Sequence, residues 1–347
     1  MKALFIGLGS IGQRHLRNLK YLRPDAQIAA VRSHKSAPVL SELNQVIPQA
    51  NIKDHYNINE FHSLSTALTD CPDLIFVTNP SSMHIDASIQ AVNSGAYVFV
   101  EKPLSHNWKG VEELLQAEKN QGRKKVTMGY QYRFHPAMQL VKSILDKSII
   151  GHLVGARLVN GEYMPNWHPY EDYRTSYAAR KDLGGGDLVT QIHDFDYALW
   201  LFGQPKQIFA VGGHLSSLEI DVEDSVQVLM QCESEGCELP VSISMDYLQW
   251  PSAKGFTIVG DAGRIVCDIT NSTVSVSNLQ SKDTEFHEFP DLNRNDIFLD
   301  EMRNFLSFAS GDTQPIVDLT EGIRSLRIAL AAKESIKTKK CVTLSWN

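Results

Sequence analysis

Three glycines spaced Gly7-x-Gly9-x-x-Gly12 follow the apolar run Ala3-Leu4-Phe5-Ile6 and open a stretch with Ile11, Leu16 and Leu19 at helical spacing. A strand, a glycine turn and a helix in that order form a place to hold a dinucleotide pyrophosphate. Gly7 permits the tight turn, Gly9 lets the backbone approach the phosphates, and Gly12 lets helix and strand pack closely. The unpaired N–H groups of the new helix, from Ser10 and Ile11 onward, then face the anion.

Other residues with chemical potential cluster where apolar runs end. Leu74–Val77 leads into Thr78-Asn79-Pro80, with Ser81, Ser82 and His84 beyond. Tyr97-Val98-Phe99-Val100 leads into Glu101-Lys102-Pro103, which sets an ammonium at the carboxyl edge of a sheet, where ligands of open α/β folds bind. Pro103 favours an extended Lys102. The second strand, Ile28–Val31, ends in Arg32-Ser33-His34-Lys35 with no acid. An acid there would bind the ribose 2′-hydroxyl of NAD and an Arg accommodates the 2′-phosphate of NADP, so NADP is favoured over NAD. Further along, Gly184-Gly185-Gly186 open a helix whose first turns carry Thr190, His193, Asp194 and Asp196, with Thr190 and His193 on one face.

These residues need positioning elements. The first ~125 residues alternate strand-like and helix-like stretches, as in a doubly wound parallel sheet. Strands are expected at Ala3–Ile6, Gln27–Val31, Leu74–Thr78, Tyr97–Val100 and Lys125–Gly129, and helices at His84–Ser94 and Trp108–Asn120. After Gly129 a helix at Pro136–Asp146 gives way to period-two alternation at Gly155–Tyr163, Ser225–Gln231, Val241–Leu248, Gly255–Gly260, Arg264–Asp268 and Thr273–Ser277. Val226, Val228 and Met230 share one face. The apolar stripes Phe298, Met302, Phe305 and Ile323, Leu326, Leu330, Ile336 read as core helices. The expected fold is α/β: a Rossmann domain over residues 1–126, then an α+β domain over 127–347 with a large, mostly antiparallel sheet.

Composition excludes other classes. The 347 residues are 43% hydrophobic and 21% charged, with a net charge of −7, ordinary for a globular enzyme and unsuited to a broad nucleic-acid surface. No apolar run is long enough to span a bilayer, and no leader-like segment precedes the glycine turn. Five scattered cysteines, with only Cys232 and Cys237 near each other, suggest reduced thiols and no metal site. A cytoplasmic protein is expected.

The chain resembles the Gfo/Idh/MocA family of nicotinamide-dependent oxidoreductases. The resemblance rests on Gly7–Gly12, on Glu101-Lys102-Pro103, and on the triple glycine leading to His193 and Leu199-Trp200-Leu201-Phe202-Gly203. It implies the two domains above, a homodimer or homotetramer assembled through the second sheet, and redox chemistry on hydroxyl and carbonyl groups of sugars and cyclitols. Lys102 matches the family's catalytic lysine and His193 its histidine. Removing hydride from a carbinol requires removal of the hydroxyl proton, which either group can relay. Many relatives carry an aspartate three or four residues before the histidine, where this chain has Thr190 and Val189. Thr190 then binds substrate, or the relay leans on Lys102.

The resemblance extends to the cofactor-facing Asn79, Pro80, His84 and Glu101. It also makes substrate contacts of Gln131, Arg133, Trp167, Arg174 and Tyr177, with Arg133 suited to a carboxylate or phosphate. The Tyr173–Gly186 stretch resembles relatives of bacterial surface-glycan and nonulosonic-acid pathways, pointing to a nucleotide-linked or acidic sugar. Two alternatives stay open: an NAD-dependent glycosidase without net redox change, and a non-catalytic cofactor-binding protein.

Overall fold

The computed structural model describes residues 1–32, 37–234 and 236–346. Its first part alternates β1 (Lys2–Ile6), α1 (Ser10–Leu22), β2 (Gln27–Val31), α2 (Ile52–Tyr56), β3 (Asn59–Phe61), α3 (Leu64–Leu68), β4 (Leu74–Val77), α4 (His84–Asn93), β5 (Tyr97–Glu101), α5 (Val111–Asn120) and β6 (Val126–Gly129). The strands form one six-stranded sheet in the order β3-β2-β1-β4-β5-β6. Every neighbouring pair is parallel. The central strands are almost wholly apolar because helices cover both faces. The order reverses at β1 and β4, which opens a crevice at their carboxyl ends.

A 3₁₀ turn at Gln131–Phe134 and α6 (Pro136–Asp146) lead into the second sheet. Here β7 (Leu153–Gly161) precedes α7 (Asp187–Thr190) and α8 (His193–Phe202). Then follow β8 (Gln207–Gly213), β9 (Ser225–Ser234), β10 (Cys237–Asp246), β11 (Ala253–Gly260), β12 (Gly263–Asp268), β13 (Thr273–Asn278) and β14 (Thr284–Glu288). Helices α9 (Arg294–Ser310) and α10 (Leu319–Thr338) and strand β15 (Val342–Thr343) end the chain. The nine strands lie in the order β14-β13-β12-β11-β7-β10-β9-β8-β15, antiparallel except where β10 meets β7. Val226, Val228 and Met230 are buried on the helix-covered face, as the alternation requires, while Leu229 and its partner Phe209 point outward.

Two features depart from the sequence reading. The stretch from Asp187 to Phe202 is two helices, not one, interrupted at Gln191 and Ile192. Thr190 and His193 therefore do not share a face of one continuous helix. Helix α9 also lies beyond residue 126 yet packs on the first sheet. Its Met302, Phe305 and Phe308 join the core of Phe5, Phe76 and Phe99. Phe5 stacks on Phe76 at 4.5 Å, and Phe305 meets Phe76 and Phe99 edge-on at 5.3 and 5.5 Å. Each such ring stabilises the joint by roughly 1.5–3 kcal/mol. The segment leading into α10 is stitched to the first sheet too, since Met128 donates its N–H to the Val317 carbonyl at 2.9 Å.

Candidate functional site

The glycine turn shows why each glycine is needed. A Cβ on Gly7, whose φ is +95°, would lie 2.9 Å from the Asn79 backbone, and one on Gly12 would lie 2.6 Å from the Gly7 carbonyl. A Cβ on Gly9 would meet nothing within 4 Å. The turn is thus packed tight against the protein at two glycines and open to an approaching group at the third. Thr78 Oγ1 clamps it by donating to the Gly7 carbonyl at 2.7 Å. Ser10 begins α1, and Ile11 packs against the Phe134, Ile297 and Phe298 group beside the turn. Asn79 leaves its buried Oδ1 without a partner at the same edge, and Pro80 follows it into a short 3₁₀ turn. These residues fit a dinucleotide.

Lys102 emerges from the end of β5, and Nζ donates to the Thr190 carbonyl at 2.8 Å. That bond joins the first sheet to the segment bearing His193. Burial lowers the Lys102 pKa to about 8, a shift that Glu101 partly opposes and Lys254 assists. His193 is buried between rings, edge-on to Tyr132 at 4.9 Å and to Tyr130 at 5.8 Å. Burial, helped by the positive charges of Lys102, Lys254 and Arg294, holds its pKa well below the ordinary value, so the ring is neutral. Gln131 faces His193 Nε2 at 3.3 Å. With that amide donating, the ring proton sits on Nδ1, which has no protein partner. Thr190 Oγ1 is likewise buried and makes no hydrogen bond of ordinary geometry, with the Tyr247 hydroxyl lying beside it. Of the nearby acids, Asp194 accepts from Asn160 and Tyr197, while Asp187 accepts from Gln191 at 2.7 Å through Oδ1 and leaves its buried Oδ2 unpartnered.

Several expected ligand contacts have other occupations. The Arg133 fork grips Asp196 through Nε and Nη2, each at 2.8 Å, and Nη2 also reaches Glu321 at 3.1 Å. It is buried and neutralised, so it offers nothing to a substrate anion. Arg174 pairs with Asp172 and Glu219 on the surface. His84 sets its two ring nitrogens 2.7 Å from the Asn79 and Pro103 carbonyls, between two loops of the crevice, and donates to one of them in the neutral form that burial favours. The Glu101 carboxylate meets His15 at 2.6 Å and accepts the Lys102 N–H at 3.1 Å, which fixes the loop that aims the lysine. Arg32, read as accommodating the 2′-phosphate of NADP, pairs with Glu60 at 2.5 Å. Ser33 lies outside the described residues.

Trp167 and Tyr177 pack with Met164, Ala178 and Tyr247. The Trp167 ring lies edge-on to Tyr247 at 5.1 Å, and its buried Nε1 is unpartnered. The triple glycine is close-packed protein: a Cβ on Gly184 would strike Ser81 and His106, and one on Gly185 would strike two carbonyls. Ser81 Oγ donates to the Gly184 carbonyl at 2.9 Å, a second bond across the cleft.

Sequence reasoning missed Lys254 and Glu162. Lys254 Nζ lies 3.2 Å from Glu162 and 3.3 Å from the Tyr132 hydroxyl, whose ring abuts His193. Burial works against the Lys254 charge, but Tyr132, Glu162 and Asp194 outweigh it and raise its pKa. The signal was available: period-two alternation puts Lys254 on the face of buried Phe256 and Ile258. Burial raises the pKa of Tyr170, and Ser10, the first residue of α1, opposes that shift, which sets this ring beside the glycine turn. Among the described residues no group of acids, histidines and cysteines could hold a metal, and no helix is long and apolar enough to cross a membrane.

Comparison with known proteins matches residues 1–130 to an oxidoreductase family with an NAD-binding Rossmann fold. Residues 138–266 match a GFO/IDH/MocA C-terminal domain. A myo-inositol 2-dehydrogenase of Thermotoga maritima is 26% identical, covering 99% of this chain and 98% of its own. A scyllo-inositol 2-dehydrogenase (NAD(+)) of Bacillus subtilis is 24% identical over 99% of this chain and 96% of its own. Among solved structures, the WlbA dehydrogenase of Bordetella pertussis, in complex with NADH and UDP-GlcNAcA, superposes with a TM-score of 0.79 at 19% identity, covering 99% of both chains.

Proposed function

Because the chain belongs to the Gfo/Idh/MocA oxidoreductase family, we propose that it transfers hydride between a nicotinamide dinucleotide and a hydroxyl or carbonyl group of a sugar, cyclitol or sugar derivative. One observation carries the reading. Lys102 of the first sheet bonds the Thr190 carbonyl, three residues from His193, so an amine and a neutral imidazole converge on one cleft beside the glycine turn.

The bound nicotinamide supplies the ring that accepts or returns hydride. Gly9 and the first N–H groups of α1 hold the pyrophosphate. Lys102, with its pKa held near 8, takes the hydroxyl proton during oxidation and returns it during reduction. His193 presents Nδ1–H to the substrate oxygen and orients it. Thr190 Oγ1 is a further donor for a polyhydroxylated substrate. The unpartnered Thr190 Oγ1, His193 Nδ1 and Trp167 Nε1 support a ligand rich in hydroxyl groups, as does the substrate class of the inositol dehydrogenases. A role in surface-glycan synthesis draws support from the likeness to a dehydrogenase bound to a nucleotide-linked uronic acid.

The outward face of the second sheet exposes Val154, Phe209, Val211, Leu229 and Val259, which suits a second copy of the chain. Steady-state assays at the reduced-nicotinamide absorbance band, over a panel of cyclitols, hexoses and uronic acids, test the reading. Turnover that Lys102→Met abolishes is expected. Glycoside release at constant absorbance identifies a glycosidase, and dinucleotide binding without any turnover identifies a binding protein; either outcome refutes the proposal.

A further inference from the structure

The acid missing from the end of β2 stands on the neighbouring strand. In the β2–β3 register Glu60 sits opposite Ala30, and Arg32 follows two residues later on the same sheet face. Ala30 packs under α1 with Leu16 and Leu19, so this is the face on which the glycine turn opens. The two side chains close on each other at 2.5 Å and are 17% and 30% exposed. They are therefore half-sheltered at the place where the adenosine ribose of a Rossmann dinucleotide lies.

We infer that Glu60 selects NAD over NADP, by occupying Arg32 and by accepting the ribose 2′-hydroxyl itself. The inference rests on the dinucleotide reading above. A 2′-phosphate needs the guanidinium fork, and this ion pair stays open enough to solvent to be weak, so Arg32 alone would turn to meet it. Glu60 cannot follow. Once Arg32 turns, the carboxylate is left unneutralised beside a phosphate of the same sign, which is how a site rejects one of two similar ligands. With NAD no such conflict arises. One Glu60 oxygen keeps Arg32 and the other accepts from the 2′-hydroxyl.

Fluorescence titration of the full chain with NADH and with NADPH tests this without turnover. NADH is expected to bind at least tenfold more tightly than NADPH. Glu60→Gln is expected to narrow that ratio at least fivefold, mainly through tighter NADPH, while its retained NADH binding shows that it folds. Arg32→Ala is expected to weaken NADPH further. Tighter NADPH than NADH in the unmodified chain, or an unchanged ratio in Glu60→Gln, overturns the inference. Should Glu60→Gln fail to fold, Glu60→Ser makes the same comparison. An unmodified chain that binds neither dinucleotide refutes the functional reading instead.

Discussion

Arg133→Met separates a structural arginine from a substrate-binding one. The guanidinium and the Asp196 carboxylate are 4% and 1% exposed and share two bonds of 2.8 Å, with a third at 3.3 Å to the Asp196 carbonyl. The guanidinium also lies 4.9 Å from the centre of the Trp200 ring. Removing one partner of such a pair strands a buried charge, so the variant should lose about 3–5 kcal/mol of stability. The loss should depend on pH. Burial already raises the Asp196 pKa, and Arg133 is the group that pulls it back. Without Arg133 the carboxyl rises further and takes up a proton. Between the unfolded value near 3.9 and that raised folded value, the folded chain binds more protons than the unfolded one, so stability falls as pH rises. Urea unfolding followed by tryptophan fluorescence should therefore show a larger loss at pH 8 than at pH 5. Arg133→Met with Asp196→Leu should recover most of it, since replacing both members of a buried pair is often neutral. A single variant with an unchanged urea midpoint and a raised KM for acidic substrates alone would refute this account and restore Arg133 to the substrate.

Gly9→Ala should leave thermal unfolding unchanged and weaken NADH binding at least tenfold, because its Cβ meets no protein atom. Gly12→Ala, set against the Gly7 carbonyl, should lose stability as well as binding. The rate of substrate oxidation, as kcat/KM, should rise with pH and level off above about 8 as Lys102 loses its proton, and Lys102→Met should abolish that limb. Lys254→Met removes a positive charge that holds the Lys102 pKa down, so the limb should move to higher pH; a limb that stays in place separates the two lysines.

What the sequence discloses, and what it withholds, follows from the range of the interactions involved. Five of the six strands of the first sheet end within a residue of expectation because apolar runs bounded by Gly, Pro and charge are local signals, as at Gln27–Val31, whereas the three-residue β3 carries no such run and goes unpredicted. The stripe on α9 announces burial but not its partner, and Phe305 finds a sheet about two hundred residues upstream. The same limit governs the site. Arg133, His84 and Glu101 have the residue types of ligand-binding groups, yet Asp196, two loop carbonyls and His15 engage them. Residue type shows which groups are able to bind, whereas the fold decides which are left free. Buried polar atoms in folded proteins are nearly all satisfied, so unsatisfied ones near a cleft mark where a ligand completes the structure. By that criterion, His193 Nδ1 and Thr190 Oγ1 are stronger candidates for substrate contact than Arg133, whose fork is already filled by Asp196.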